Sequence, residues 1–223
     1  MFESPTELKP FSSSFPLLAL VLGMLMGGAA IAEDTPEASE PADEIIFLDD
    51  SDSPWRLYIG SMANWMVPVE GPLTRSHKSN TLKVRPVDYL ERDDAYQAEF
   101  GGGLGQIYWQ EFNAHDYRAM AAAGGALSMV IRIDEKPSKK VELKMDCGYP
   151  CGGAVNVSNV FKAVPEDQWF RMSLNVSCFA DAGADLSNIL SPLVVATEGT
   201  FKISLADVQI LKNPPPESLI PCN

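Results

Sequence analysis

The stretch "LSMVIRID", residues 127–134, places Leu127, Met129, Ile131 and Ile133 at every second position. Side chains of a strand point alternately to the two sides of a sheet, so this period of two predicts a strand with one face on a core. Two more stretches repeat the pattern. In "RMSLNVSCF", residues 171–179, Met172, Leu174, Val176 and Cys178 share one face. Arg171, Ser173, Asn175 and Ser177 share the other, which predicts a strand over 169–178. In "TFKISLADVQIL", residues 200–211, Phe201, Ile203, Leu205, Val208 and Ile210 nearly alternate. The slip at Ala206 and Asp207 predicts a β-bulge.

Working outward, further β-type runs cover 82–85, 106–112, 141–145 and 193–197, with turn residues about every ten positions. Many short strands at regular spacing predict an all-β sandwich or barrel. Helix signals are few. "DLSNIL", 185–190, reads as one turn capped by Asp185, and "NVSNVFKA", 156–163, as another capped by Asn156 or Ser158. "GGGLG", 101–105, lacks the order of a phosphate loop and is expected to be a hairpin turn.

The N-terminal part has a different texture. "FPLLALVLGMLMGGAAIA", 15–32, is a continuous apolar run ending in small residues, and Ala30-Ile31-Ala32 fits a signal-cleavage site. Residues 1–32 are therefore expected to be a signal peptide, with an uncleaved anchor as the alternative. No stable membrane insertion is expected after cleavage. Localisation is then periplasmic or secreted. Residues 33–52 hold nine acidic residues and no basic one, and are expected to be a disordered linker in which residues 45–48 dock as a short strand. The formal net charge of the 223-residue chain is −13. Such acidity argues against nucleic acid and anionic membranes, and fits uncharged or cationic ligands.

Four cysteines, Cys147, Cys151, Cys178 and Cys222, follow the apolar run. In an exported chain an even count predicts disulfides. Three pairings exist; local closure favours Cys147 with Cys151, which leaves Cys178 with Cys222. "CGYPC" has the wrong spacing for a thioredoxin-type centre, and two scattered cysteines with His77 and His115 do not make a zinc site. A staple on a Gly/Pro loop is the expected role. "PPP", 214–216, ends the fold, and a disulfide to Cys222 ties down the tail.

Catalytic signals are weak. There is no G-x-S-x-G elbow. Asp88, Glu91, Asp93 and Asp94, and Asp181 and Asp185, are acidic loop clusters of the kind that cap turns, hold Ca²⁺ or act as paired carboxylates. Asp181 and Asp185 are candidate Ca²⁺ ligands; no other cofactor is expected. Aromatic side chains remain. Tyr108 and Trp109 are adjacent, so in a strand one is core and the other surface. An exposed ring suits the flat face of a sugar, with polar neighbours bonding its hydroxyls. Trp65, Trp109, Tyr149 and Arg118 are the candidate ligand contacts.

Four stretches read together resemble one known family: "RPVDYLERDDA", "LSMVIRIDEKP", "VELKMDCGYPCGGAVNV" and "QWFRMSLNVSCFADAGADLSNILSPLVVATEGTFKISLADVQI". They are similar to the galactose-binding-like C-terminal domain of ExoP-type bacterial exo-β-glucosidases, enzymes of glycoside hydrolase family 3. The resemblance runs from about Trp55 to Leu211. Its most specific parts are C-G-x-x-C-G-G and C-F-A-x-A-G-A-D-L. It implies a jelly-roll β-sandwich over 53–213 with a Pro-rich tail over 214–223, an association with β-glucan, and no active site. The chain is expected to stand without a hydrolase, and it departs from the family in having Phe100 where a tryptophan often follows the "DDA" run and in adding Cys222. The expected function is a non-catalytic carbohydrate-binding module for β-glucan or a related glycan. The alternatives are a module docking onto a glycoside hydrolase or envelope partner, and a jelly-roll glycoside hydrolase.

Overall fold

The computed structural model describes residues 41–48, 53–76 and 81–222. The expected signal peptide, most of the acidic linker and His77 lie outside the described residues. Among the described residues no helix is long and apolar enough to cross a membrane.

Two antiparallel sheets pack face to face in the expected all-β, jelly-roll β-sandwich. The back sheet contains β1 (Glu44–Phe47), β4 (Thr74–Arg75), β5 (Leu82–Val87), β6 (Ala95–Gly101), β8 (Ala126–Glu135), β11 (Trp169–Asn175) and β13 (Thr200–Leu211). Its order is β11-β8-β13-β6-β5-β4, with β1 also paired to β13. The front sheet contains β2 (Arg56–Ser61), β3 (Asn64–Pro68), β7 (Gly105–Gln110), β9 (Val141–Asp146), β10 (Gly152–Asn156) and β12 (Ser191–Thr197), in the order β10-β9-β12-β7-β2-β3.

The alternation of residues 127–134 decides which face of β8 is inside. Leu127, Met129, Ile131 and Ile133 are all buried in the one large core, opposite Ile107, Trp109, Leu143 and Val195 of the front sheet. Each such side chain contributes about 1.5–3 kcal/mol on burial. The predicted slip in β13 is a register shift against β8 between Ala206 and Gln209, with Asp207 at φ 44. The bulge also marks where β13 changes neighbours. It pairs with β6 as far as Leu205 and with β1 from Val208. Part of the expected linker is thus a strand, held by Glu44, whose carboxylate accepts from Trp55 Nε1 at 3.1 Å and from the Tyr117 hydroxyl at 2.7 Å.

Three expectations need correction. The strand over 169–178 stops at Asn175, and α3 (Val176–Asp181) follows. Val176, Cys178 and Phe179 are its buried residues. Over so few residues a buried one-turn helix and a strand leave the same apolar spacing. "GGGLG" is not a hairpin. It carries the chain from β6 in the back sheet to β7 in the front sheet, with Gly102 and Gly103 at φ 94 and 83. "DLSNIL" is a turn rather than a helix; Asp185 Oδ1 accepts from the Ser187 backbone N–H at 3.0 Å and from its hydroxyl at 2.7 Å. "NVSNVFKA" does form α2 (Ser158–Ala163), with Asn156 Oδ1 accepting the Ser158 N–H at 3.0 Å. A further helix, α1 (Arg118–Ala122), and strands β2, β3, β6 and β10 were not predicted from the sequence pattern.

Both disulfides follow the pairing that local closure favours, Cys147 with Cys151 and Cys178 with Cys222. The tail beyond the prolines is packed rather than loose. Ile220 N–H donates to Ser173 O at 2.9 Å, Ser218 is buried, and Cys222 closes onto α3.

Candidate functional site

The outer face of the front sheet carries a hollow lined by aromatic side chains. Its floor follows from strand alternation. In β7, Ile107 and Trp109 face the core, so Gln106, Tyr108 and Gln110 face out. In β9, Val141, Leu143 and Met145 face in, so Glu142, Lys144 and Asp146 face out. Register then builds rows across the sheet. Lys144 lies beside Val194, Val194 beside Tyr108, and Tyr108 beside Tyr58.

The Tyr58 and Tyr108 rings stack with centroids 5.6 Å apart. The Tyr108 hydroxyl donates to Trp65 O at 2.7 Å and so fixes edge strand β3. Burial, with the nearby Tyr58 and Asp146, pushes the Tyr108 phenol up to about 12. It therefore remains a donor at physiological pH.

A cavity of about 610 Å³ opens over this floor, lined by Trp65, Met66, Gln106, Tyr108, Gln110, Asp146 and Tyr149. A second hollow of about 230 Å³ shares Gln106, Asp146 and Tyr149, and continues over Lys144, Val194 and Ala154. Together they make a groove across the strands from β3 to β10. Six strands at the usual spacing give it a span of about 24 Å. Trp65 is 44 % exposed and Tyr149 fully so.

Tyr149 owes its place to the loop between β9 and β10. The Cys147 to Cys151 disulfide closes that loop, and Gly148 takes φ 89, which a Cβ disfavours. The Gly148 N–H donates to Asp146 Oδ1 at 2.6 Å, and Asn188 Nδ2 donates to Cys147 O at 3.1 Å. An exposed ring is thus held on a stapled, anchored loop. Further along the face, burial pushes the Glu142 carboxyl up. Its bond to Lys140 and the charges of Lys144 and Lys140 outweigh that and leave it below the usual range.

Of the four candidate contacts, the structure brings Trp65 and Tyr149 together and excludes two from the groove. Trp109 is a correction: it is 1 % exposed, with its ring 5.6 Å from that of Phe47 in the core. Alternation gives the outward place to Tyr108 instead. Arg118 is a second correction. It sits exposed on α1, in an ion pair with Asp116 at 2.6 Å, and does not line the groove. Bonds from Arg118 hold the Asp116 carboxyl down to about 2.

Several other carboxylates have structural employment. Asp94 accepts backbone N–H bonds from Tyr89, Leu90 and Glu91, and Asp88 accepts from Asp93. The two ring nitrogens of His115 face Glu44 at 3.0 Å and Glu111 at 2.6 Å. At the candidate Ca²⁺ residues, Asp185 accepts from Ser187, and no group of three or more His, Cys, Asp or Glu side chains that could hold a metal occurs among the described residues.

The sequence pattern missed Met66, Gln106, Gln110 and Asp146. The last three were findable as the outward positions of β7 and β9. Their convergence with Trp65 was not, because β3 is far from both in the chain.

A family model described as galactose-binding domain-like matches residues 53–210. No curated protein matches the chain in sequence. Among solved structures, the exo-1,3/1,4-β-glucanase ExoP from a Pseudoalteromonas species superposes with TM-score 0.67 and 14 % identity, over 83 % of this chain and 22 % of that one. The chain thus spans about a fifth of that enzyme. The separate extra C-terminal domain of the same enzyme superposes with TM-score 0.67 and 14 % identity, over 81 % of this chain and 99 % of that domain. The family 30 carbohydrate-binding module of a cellulosomal cellulase from Clostridium thermocellum gives TM-score 0.53 and 16 % identity, over 76 % of this chain and 97 % of the module. At these identities the likeness is one of fold.

Proposed function

The chain belongs to the galactose-binding domain-like family of ExoP C-terminal domains, and from that premise we propose that it is an exported, non-catalytic module that binds β-glucan or a related glycan. One observation carries the reading. The outer face of the front sheet holds a groove in which an exposed tryptophan and a stapled, fully exposed tyrosine stand over amide and carboxylate side chains. Rings pack the flat faces of sugar units, and Gln106, Gln110 and Asp146 offer donors and acceptors to hydroxyls. The groove reaches both edges of the sheet, which suits the interior of an oligosaccharide rather than a single sugar. Two disulfides support an extracytoplasmic location.

Calorimetric titration of the full chain with cello-oligosaccharides and mixed-linkage β-glucan oligosaccharides tests this. Saturable binding is expected, weakened about tenfold or more by Trp65→Ala or Tyr149→Ala with the fold unchanged. No heat at millimolar sugar, or binding indifferent to both variants, refutes the reading.

A second reading, docking onto a glycoside hydrolase, draws on the 22 % coverage of ExoP, where the matching domain is one part of a longer enzyme. Co-purification of a hydrolase, abolished by front-face variants, would favour it over glycan binding.

A further inference from the structure

We propose that Asp146 sets the charge specificity of the groove, admitting neutral and amino-sugar glycans and rejecting uronate-containing ones. The inference rests on the carbohydrate reading above.

Some charges on the front face already have partners. Glu142 is paired with Lys140 at 2.7 Å and with Lys144 at 3.4 Å. Lys144, the cation that lines the smaller hollow, shares the single charge of Glu142 with Lys140, and Arg56 faces out beside Gln110 on β2. Asp146 follows two residues later on the same face of β9, and lines both hollows where they meet. Its Oδ1 accepts the Gly148 N–H at 2.6 Å. Among the described residues no cation lies within ion-pair distance of it, and its Oδ2 has no bonded partner.

A carboxylate oxygen is an acceptor only. Beside Trp65 and Tyr149 it takes a hydroxyl of a neutral sugar or the ammonium of an amino sugar. A sugar carboxylate brought to the same place adds a like charge, with neither a donor nor a cation at that oxygen to offset it. The other polar groups that line the larger cavity, Gln106, Gln110 and Tyr108, are uncharged at neutral pH and discriminate poorly by charge.

The test compares three ligand series of one linkage that differ in charge: cello-oligosaccharides, oligoglucosamine and oligoglucuronate. Affinities of the full-length wild-type chain and Asp146→Asn are measured by calorimetry. The Asn carbonyl oxygen can still accept the Gly148 N–H, so the loop is preserved. The wild type is expected to rank oligoglucosamine first and oligoglucuronate last. The variant is expected to narrow each gap about fivefold, the effect of one partly solvated charge. Raising the salt concentration should narrow the same gaps in the wild type, a readout that does not depend on the variant. Unchanged ratios in the variant, or ratios in the wild type that ignore salt, overturn the assignment while leaving glycan binding intact. A wild type that binds none of the three series overturns both.

Discussion

The two sheets of this sandwich have outer faces of similar polarity and opposite character. On the back face the polar groups are bonded to one another. Arg85 donates to Gln97, Gln97 donates to Asp134, and Asp134 also accepts from Arg132 and Ser204. Arg171 pairs with Asp207, and Lys83 with Glu99. Its tryptophan, Trp169, lies under the Arg132 guanidinium and against Tyr89. On the front face Asp146 keeps an oxygen without a partner among the described residues, and Trp65 and Tyr149 are uncovered. The two faces therefore differ in the state of their groups rather than their type, and the proposed binding face is the unsatisfied one. A satisfied network excludes a ligand, because each bond to a sugar must replace one already made. A face with idle acceptors and bare rings loses little when a ligand displaces water.

The contrast can be broken by mutation. The largest effect is expected inside, where Trp109→Ala should cost about 3–5 kcal/mol of stability by leaving a cavity between the sheets. Denaturant unfolding measures it, and a cost as small as that of an exposed ring would refute the core assignment. Next come the disulfides. Replacing Cys178 and Cys222 with serine should cost about 4 kcal/mol, because the loop closed is long. Replacing Cys147 and Cys151 should cost about 2 kcal/mol, and should also weaken glycan binding by freeing Tyr149. A staple variant with wild-type affinity would show that the loop is held by its hydrogen bonds alone.

On the back face, Arg171→Ala removes the cation from half-buried Asp207, leaving it only the Gln209 amide, and should cost about 1–3 kcal/mol while leaving glycan affinity untouched. Any loss of affinity there would blur the division between the two faces. The smallest effect concerns acid. Burial raises the Asp94 carboxyl, but three neighbouring backbone N–H bonds, with its own N–H, bring it net below its ordinary value. A depressed folded-state value stabilises the protein above the unfolded pKa, and that contribution is lost as pH falls through the folded one. Asp94→Asn should therefore flatten the acid limb of stability below about pH 4, and an unchanged limb would remove Asp94 as its source.

The longest strands were the most legible, because a long strand shows its period. β8 and most of β13 could be read from alternation, including the bulge at Asp207. β2 and β3 could not. "RLYIGS" sets Leu57, Tyr58 and Ile59 in a row and so shows no period of two, and β3 is an edge strand whose residues are mostly exposed, so it carries no buried alternation to detect. The same reason hid the site. Trp65 was identifiable as an aromatic candidate, yet only sheet order places it across from Tyr149. Trp109 and Tyr108 show the limit in its sharpest form. Their adjacency required one ring in and one out, and nothing local in "YW" says which is which.

Residue pattern alone determined the all-β class, the inward faces of the long strands and the disulfide role of the cysteines. These depend on neighbours in the chain, on the two-residue period of a strand and on the redox logic of paired cysteines. Tertiary structure alone decided that residues 176–181 turn into a helix, that "GGGLG" passes between sheets, and that Trp65, Gln106, Asp146 and Tyr149 share one groove. Each of these is set by contacts between strands remote in sequence. The hydrogen-bond ladders that order β3, β2, β7, β12, β9 and β10 side by side bring those residues onto one surface.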